Sequence, residues 1–112
     1  MIFVDYLGAG ARLAQVRDVV KREVAAVLRV SADQVSVRRI VTEDETDEVE
    51  LWVELSTEEQ LYRAGRELAR RISDGLRADE GLLNVWVMYR VVPLNQAFLN
   101  GEARGRGTPT FD

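Results

Sequence analysis

The chemistry open to this chain is limited by its side chains. It has no histidine and no cysteine among its 112 residues, which excludes imidazole bases, thiolate nucleophiles, disulfides and Cys/His zinc sites. Carboxylates, arginines and tyrosines remain. Glu43, Asp44, Glu45, Asp47, Glu48 and Glu50 offer the oxygen ligands a hard cation takes, but their spacing is not that of an EF-hand loop, and acidic loops are ordinarily just solvated. Neither a metal nor a cofactor is expected. Glu50 and Glu54, four residues apart on one strand face, would make an acid/base pair if an oligomer buried them; their simpler role is to flank Trp52 and meet arginines of a neighbouring copy. Tyr6 and Tyr89 could donate to an oxyanion, although strand tyrosines are ordinarily core residues with a satisfied hydroxyl. Gly8-Ala9-Gly10 precedes a helix but lacks the third glycine and the lysine of a phosphate loop.

Charge narrows the partners. Fourteen of the fifteen basic residues are arginine, with Lys21 the exception. Arginine enrichment fits bidentate anion binding, and equally a GC-rich coding sequence, so position must decide any arginine's role. A net charge of -4 and a pI near 4.9 argue against a nucleic-acid partner. No apolar run approaches the roughly 20 residues that span a bilayer, and Met1-Ile2-Phe3-Val4-Asp5 lacks the basic region of a signal peptide. A cytoplasmic protein with no membrane partner is expected.

The elements that must position these groups follow from periodicity. Ile2 to Leu7 reads as a strand with one acidic interruption, ended by Gly8-Ala9-Gly10. From Arg12 to Arg29, Leu13, Val16, Val20, Val24, Val27 and Leu28 fall on one helix face. Val35–Val41 is a second strand, and the acidic stretch 43–48 joins it to a third. There Val49, Leu51, Val53 and Leu55 alternate with Glu50, Trp52 and Glu54. Ser56 and Glu59 form a capping box for a second helix reaching about Leu76. Gly65 lies on its buried stripe, where it costs roughly 1 kcal/mol against alanine and so implies close backbone approach to the sheet. Leu82–Val92 is a fourth strand, Pro93 ends it, and Asn100-Gly101 signals a type I′ turn.

The order β-α-β-β-α-β predicts an α+β two-layer sandwich with a C-terminal hairpin or tail. Residues 1–101 make one domain of two βαβ halves, about 1–43 and 48–92, and 102–112 is a flexible tail. An RNA-binding reading of its Arg104-Gly105-Arg106-Gly107 steps is weak. Phe3, Leu7, Trp52 and Trp86 would lie on the sheet face away from the helices. Packing that face against other copies is the economical way to cover them, so a closed homo-oligomer is expected.

Ferredoxin-like domains and the tautomerase superfamily share this element order, and particular residues separate them. Val35-Ser36-Val37-Arg38-Arg39-Ile40-Val41-Thr42-Glu43 resembles the second strand of the small 4-oxalocrotonate tautomerases (4-OT), and Arg22-Glu23-Val24 resembles an Arg-Glu-Val on their helix. The second half, with the ending Phe98-Leu99-Asn100-Gly101-Glu102, looks like a longer tautomerase-like family. The resemblance implies a trimer. It also implies proton transfer at carbon beside a carbonyl, with an amino-terminal proline as base, an amine that a dry pocket keeps unprotonated. Arginines matching Arg12 and Arg38 would hold a small substrate carboxylate, each contact contributing about 1.5–3 kcal/mol. Arg39, on the opposite strand face, is expected to pair with an acid at the strand end, and would take the place of Arg38 if the register moved by one.

Ile2 stands where that proline would be. It has no basic side chain, its nitrogen is an amide, and the Met1 amine is one residue from where the chemistry is done. The resulting expectation is a tautomerase-like protein that lacks proline-dependent keto–enol tautomerisation and binds a small carboxylate through Arg12 and Arg38. The alternatives are an isomerase or lyase using another base, a carboxylate or the Met1 amine, and a ferredoxin-like binding or regulatory module without chemistry. Strand order discriminates the last, because ferredoxin-like halves interleave while tautomerase-like halves keep their two strands adjacent.

Overall fold

Alternation of apolar residues builds the sheet, and three-and-four spacing builds the layer that covers it. The computed structural model describes residues 1–93 and 96–103. Strand β1 (Ile2–Leu7) is followed by a single 3₁₀ turn at Gly10–Arg12 and helix α1 (Leu13–Leu28). Arg29, in the left-handed conformation at φ 57°, stops α1, and a second 3₁₀ turn (Ala32–Gln34), capped by Ser31, leads into β2 (Val35–Ile40). Next come β3 (Val49–Leu55), α2 (Glu58–Arg77) and β4 (Val85–Val91). Finally β5 (Phe98–Leu99) and β6 (Glu102–Ala103) form a small antiparallel hairpin.

The main sheet has the order β2-β1-β3-β4. Each half keeps its strands adjacent and parallel, Ile2 opposite Val35 in the first and Val49 opposite Val85 in the second. The halves meet through the antiparallel pair β1/β3, where Asp5 faces Trp52. This order excludes the interleaved ferredoxin-like arrangement. Both helices cover one face. Val4, Tyr6, Val35, Leu51 and Val53 are fully buried there against Val16, Val20 and Val24 of α1 and Leu68, Ile72 and Leu76 of α2. Each such aliphatic contributes about 1.5–3 kcal/mol by leaving water.

Four local expectations are corrected. The N-cap of α2 is Thr57 rather than Ser56: its Oγ1 accepts from the Gln60 N–H at 3.1 Å, and the Ser56 N–H donates to Gln60 Oε1 at 3.0 Å. The cap sits one residue later because Ser56 and Thr57 are adjacent capping hydroxyls and the helix begins only at Glu58; the Gln60 side chain takes the N–H of Ser56 rather than that of Thr57, so the reciprocal box does not close. Strand β4 begins at Val85, since the Leu83 N–H closes a turn on the Glu80 carbonyl (3.0 Å), which buries Leu83 and exposes Leu82. Strand β2 ends at Ile40, leaving Val41 exposed. Glu102 and Ala103, expected in a tail, pair with Leu99 and Phe98 across a turn whose Asn100 and Gly101 both have positive φ (53° and 85°). That is the type I′ geometry. The Arg-Gly steps of the expected tail lie outside the described residues.

Two glycines set how closely the layers approach. The Gly65 carbonyl accepts from the Tyr89 hydroxyl at 2.6 Å, and a Cβ at Gly65 would lie 3.0 Å from Leu61 Cδ1 and 3.4 Å from the Tyr89 ring. At Gly75 a Cβ would lie 2.8 Å from Val19 Cγ1, so this glycine lets α2 press against α1.

Candidate functional site

The three positions singled out by the resemblance lie in three different places. Ile2 opens β1, with its side chain turned to the helices and 7% exposed. It is a core residue at the end of the sheet where β1 and β2 begin. Arg12 lies beyond the other end of β1, about 16 Å away along five strand residues. Arg38 lies between these ends, opposite Asp5, on the face away from the helices. A single protomer therefore does not gather Ile2, Arg12 and Arg38 into one site.

Arg38 is held by Asp5. Its Nε donates to Asp5 Oδ1 at 2.9 Å, and its Nη2 lies 2.7 Å from the same oxygen. Arg90 Nη2 donates to Asp5 Oδ2 at 2.6 Å, having crossed β3 from β4. Both guanidiniums lie over aromatic rings, Arg38 above Phe3 (5.1 Å) and Arg90 above Trp52 (5.5 Å). Burial pushes the Asp5 carboxyl up, but the hydrogen bonds and charges of Arg90 and Arg38 outweigh it and hold the group below the usual carboxylate range. Phe3 and Trp52 are thus partly covered within the chain, while Trp86 and Ile40 on the same face remain 55% and 40% exposed.

Arg12 immediately precedes α1 and meets Glu80, which follows α2. Nη2 donates to Glu80 Oε1 at 2.8 Å, Nε points to Oε2 at 3.4 Å, and Nη1 reaches the Asp47 carbonyl at 3.4 Å. The hydrogen bond to Glu80 raises the Arg12 pKa further above its ordinary value. Beside the pair is a shallow cavity of about 240 Å³ lined by Arg12, Asp47, Glu48, Glu80, Leu82 and Asn84, among others. Arg39 projects to the helix side, donates to the Gly8 carbonyl (3.2 Å) and pairs with Glu45, so it meets an acid just past the strand end as expected.

The other candidates are occupied structurally. The Tyr6 hydroxyl donates to the Ala9 carbonyl (2.7 Å), and burial pushes the Tyr89 hydroxyl up to about 12. Glu50 accepts from the Trp52 indole (3.2 Å), and Glu48 accepts from the Trp86 indole (2.8 Å) and the Asn84 amide (3.3 Å). Residues 43–47 lie exposed in the β2–β3 loop with Glu48 half-buried at its end, and among the described residues no three acidic side chains are grouped to hold a metal ion. Among those residues no helix is long and apolar enough to cross a membrane. Sequence reasoning missed three residues. Asp5 and Arg90 were legible as polar interruptions in apolar strands, and the strand register is what joins them. Glu80 carried no local signal.

No family model and no curated protein matches the chain. Solved structures do. A protein of unknown function from Vibrio cholerae superposes with a TM-score of 0.72 at 14% identity, over 91% of this chain and 86% of that one. A domain of unknown function (DUF1904) from Sebaldella termitidis gives 0.71 at 15% identity, over 90% and 97%. A fused wild-type 4-OT asymmetric trimer gives 0.66 at 15% identity, over 90% and 94%. Element order, strand order and these superpositions agree: the chain has the fold of the tautomerase superfamily.

Proposed function

We propose that this protein is a tautomerase-like homo-oligomer, a trimer, that lacks proline-dependent keto–enol tautomerisation and binds a small carboxylate through Arg12 and Arg38. The observation that carries the reading is Ile2. At the position matching the proline base, the chain has an apolar side chain turned into the core and an amide nitrogen joined to Met1, neither of which can accept a proton at neutral pH. The trimeric state of the 4-OT neighbour supports the assembly. So does a sheet face that keeps Trp86 and Ile40 exposed. Because Arg12 and Arg38 lie apart within one protomer, a site using both would be composed between protomers. A ligand must also take the place of Glu80 or Asp5, and Glu80 is the more accessible of the two. A cytoplasmic location belongs to the same proposal.

Proton exchange at carbon in pyruvate, followed by NMR, tests the reading. Wild type is expected to leave the methyl protons unexchanged beyond the buffer rate. An Ile2→Pro variant with Met1 removed is expected to exchange them measurably, as an intact pocket given back its base. Exchange by wild type would overturn the inactive reading and direct attention to a carboxylate base or the Met1 amine.

A further inference from the structure

We infer that Glu80 is a built-in occupant of the Arg12 carboxylate seat, which an incoming small carboxylate must displace. The inference deepens, and rests on, the reading that Arg12 binds such ligands. The two Glu80 oxygens face Nη2 and Nε of one guanidinium edge, at 2.8 and 3.4 Å, as the two oxygens of a bound carboxylate would. The arginine is the fixed member. Its side chain is 22% exposed against 51% for Glu80, and its remaining edge is oriented by the Asp47 carbonyl at 3.4 Å. The glutamate is the movable member. It sits in the surface connection between α2 and β4, beside Gly81, where an added Cβ would meet nothing within 4 Å, and near the fully exposed Leu82. That connection is held by Glu80 N–H to the Arg77 carbonyl (3.3 Å), Leu83 N–H to the Glu80 carbonyl (3.0 Å), Arg77 Nη2 to the Gly81 carbonyl (2.6 Å) and, where it joins β4, Val49 N–H to the Asn84 carbonyl (2.9 Å) and Asn84 Nδ2 to Glu48 (3.3 Å). None of them requires the Glu80 side chain. The cavity of about 240 Å³ alongside has room for a ligand of a few heavy atoms once the carboxylate swings out.

The surroundings set the strength of the competition. Asp47, Glu48 and Glu80 line the cavity with a single arginine, so a free anion approaches against negative potential. Asp47 acts on Arg12 through its charge as well as its carbonyl, whereas Glu48 is engaged by Trp86 and Asn84. Apparent affinity falls by the fraction of time the seat is free, and for an ion pair with one half-exposed member that amounts to about fivefold.

Pyruvate titration at constant ionic strength, read from the Arg12 Nε–H signal by NMR, separates the possibilities. Glu80→Gln is expected to bind about fivefold more tightly than wild type, with the bound Arg12 signal moving in the same direction in both proteins. Asp47→Asn removes an equal charge from the same cavity without emptying the seat, and is expected to change affinity much less. Equal gains from the two variants would overturn the inference in favour of a general charge effect. Equal affinity of wild type and Glu80→Gln, with Arg12 responding in both, would overturn it while leaving the carboxylate reading standing. No response of Arg12 in any variant would overturn both.

Discussion

Asp5 shows how much one residue can carry on a sheet face. It is a nearly buried carboxylate that accepts from Arg38 and Arg90 and thereby draws both guanidiniums over Phe3 and Trp52. Its folded pKa lies below its unfolded value, so its ionisation stabilises the fold above about pH 4, and that contribution is lost as pH falls through the folded value. Glu23 behaves alike: burial raises it, but Arg22 and Arg71 lower it further, tying α1 to α2. Asp5→Asn is therefore expected to cost about 1–2 kcal/mol at pH 7 in urea unfolding, with the deficit closing below pH 4. A deficit independent of pH would show that the carboxylate charge is not what matters. Asp5 was visible in the sequence only as an interruption. Its partners lie 33 and 85 residues away, and no local pattern joins them.

At the scale of elements, periodicity was readable and fine register was not. The buried stripes of both helices and the alternation of β3 followed from spacing alone, because period 3.6 and period 2 leave different marks. The start of α2 did not, since Ser56 and Thr57 are adjacent capping hydroxyls and the helix takes the later one as its cap. Thr57→Ala is expected to lower stability by about 1 kcal/mol, and Ser56→Ala by less, in thermal unfolding; the reverse order would restore the earlier cap. Close packing of the helices was also hidden. Gly75→Ala improves helix propensity by about 1 kcal/mol, yet its Cβ would sit 2.8 Å from Val19 Cγ1 on a short, stiff side chain. A net loss of about 1–2 kcal/mol is expected in denaturant unfolding, and a Val19→Ala background should remove it. A stabilised Gly75→Ala single variant would mean the helices move apart without cost.

At the scale of the whole molecule, the described residues leave one sheet face without a helix layer, and the proposed assembly is what would cover it. Sedimentation velocity at micromolar concentration is expected to give a trimer for wild type. Ile40→Glu combined with Trp86→Glu should shift it toward monomer, since each places a charge on an exposed apolar position of that face. A monomeric wild type would refute the assembly. The amino-acid sequence by itself determined the element order, the helix and strand faces, the type I′ turn and the absence of a proline base at Ile2. These are local properties, written in residue type and in periods of two and 3.6. Only the tertiary structure decided that the halves stand side by side rather than interleaved. It alone brought Asp5 between two arginines, set Glu80 upon Arg12 and separated Arg12 from Arg38. Those outcomes depend on which strands pair and in what register. That choice is made by the summed packing of the core across the whole chain, and no short segment encodes it.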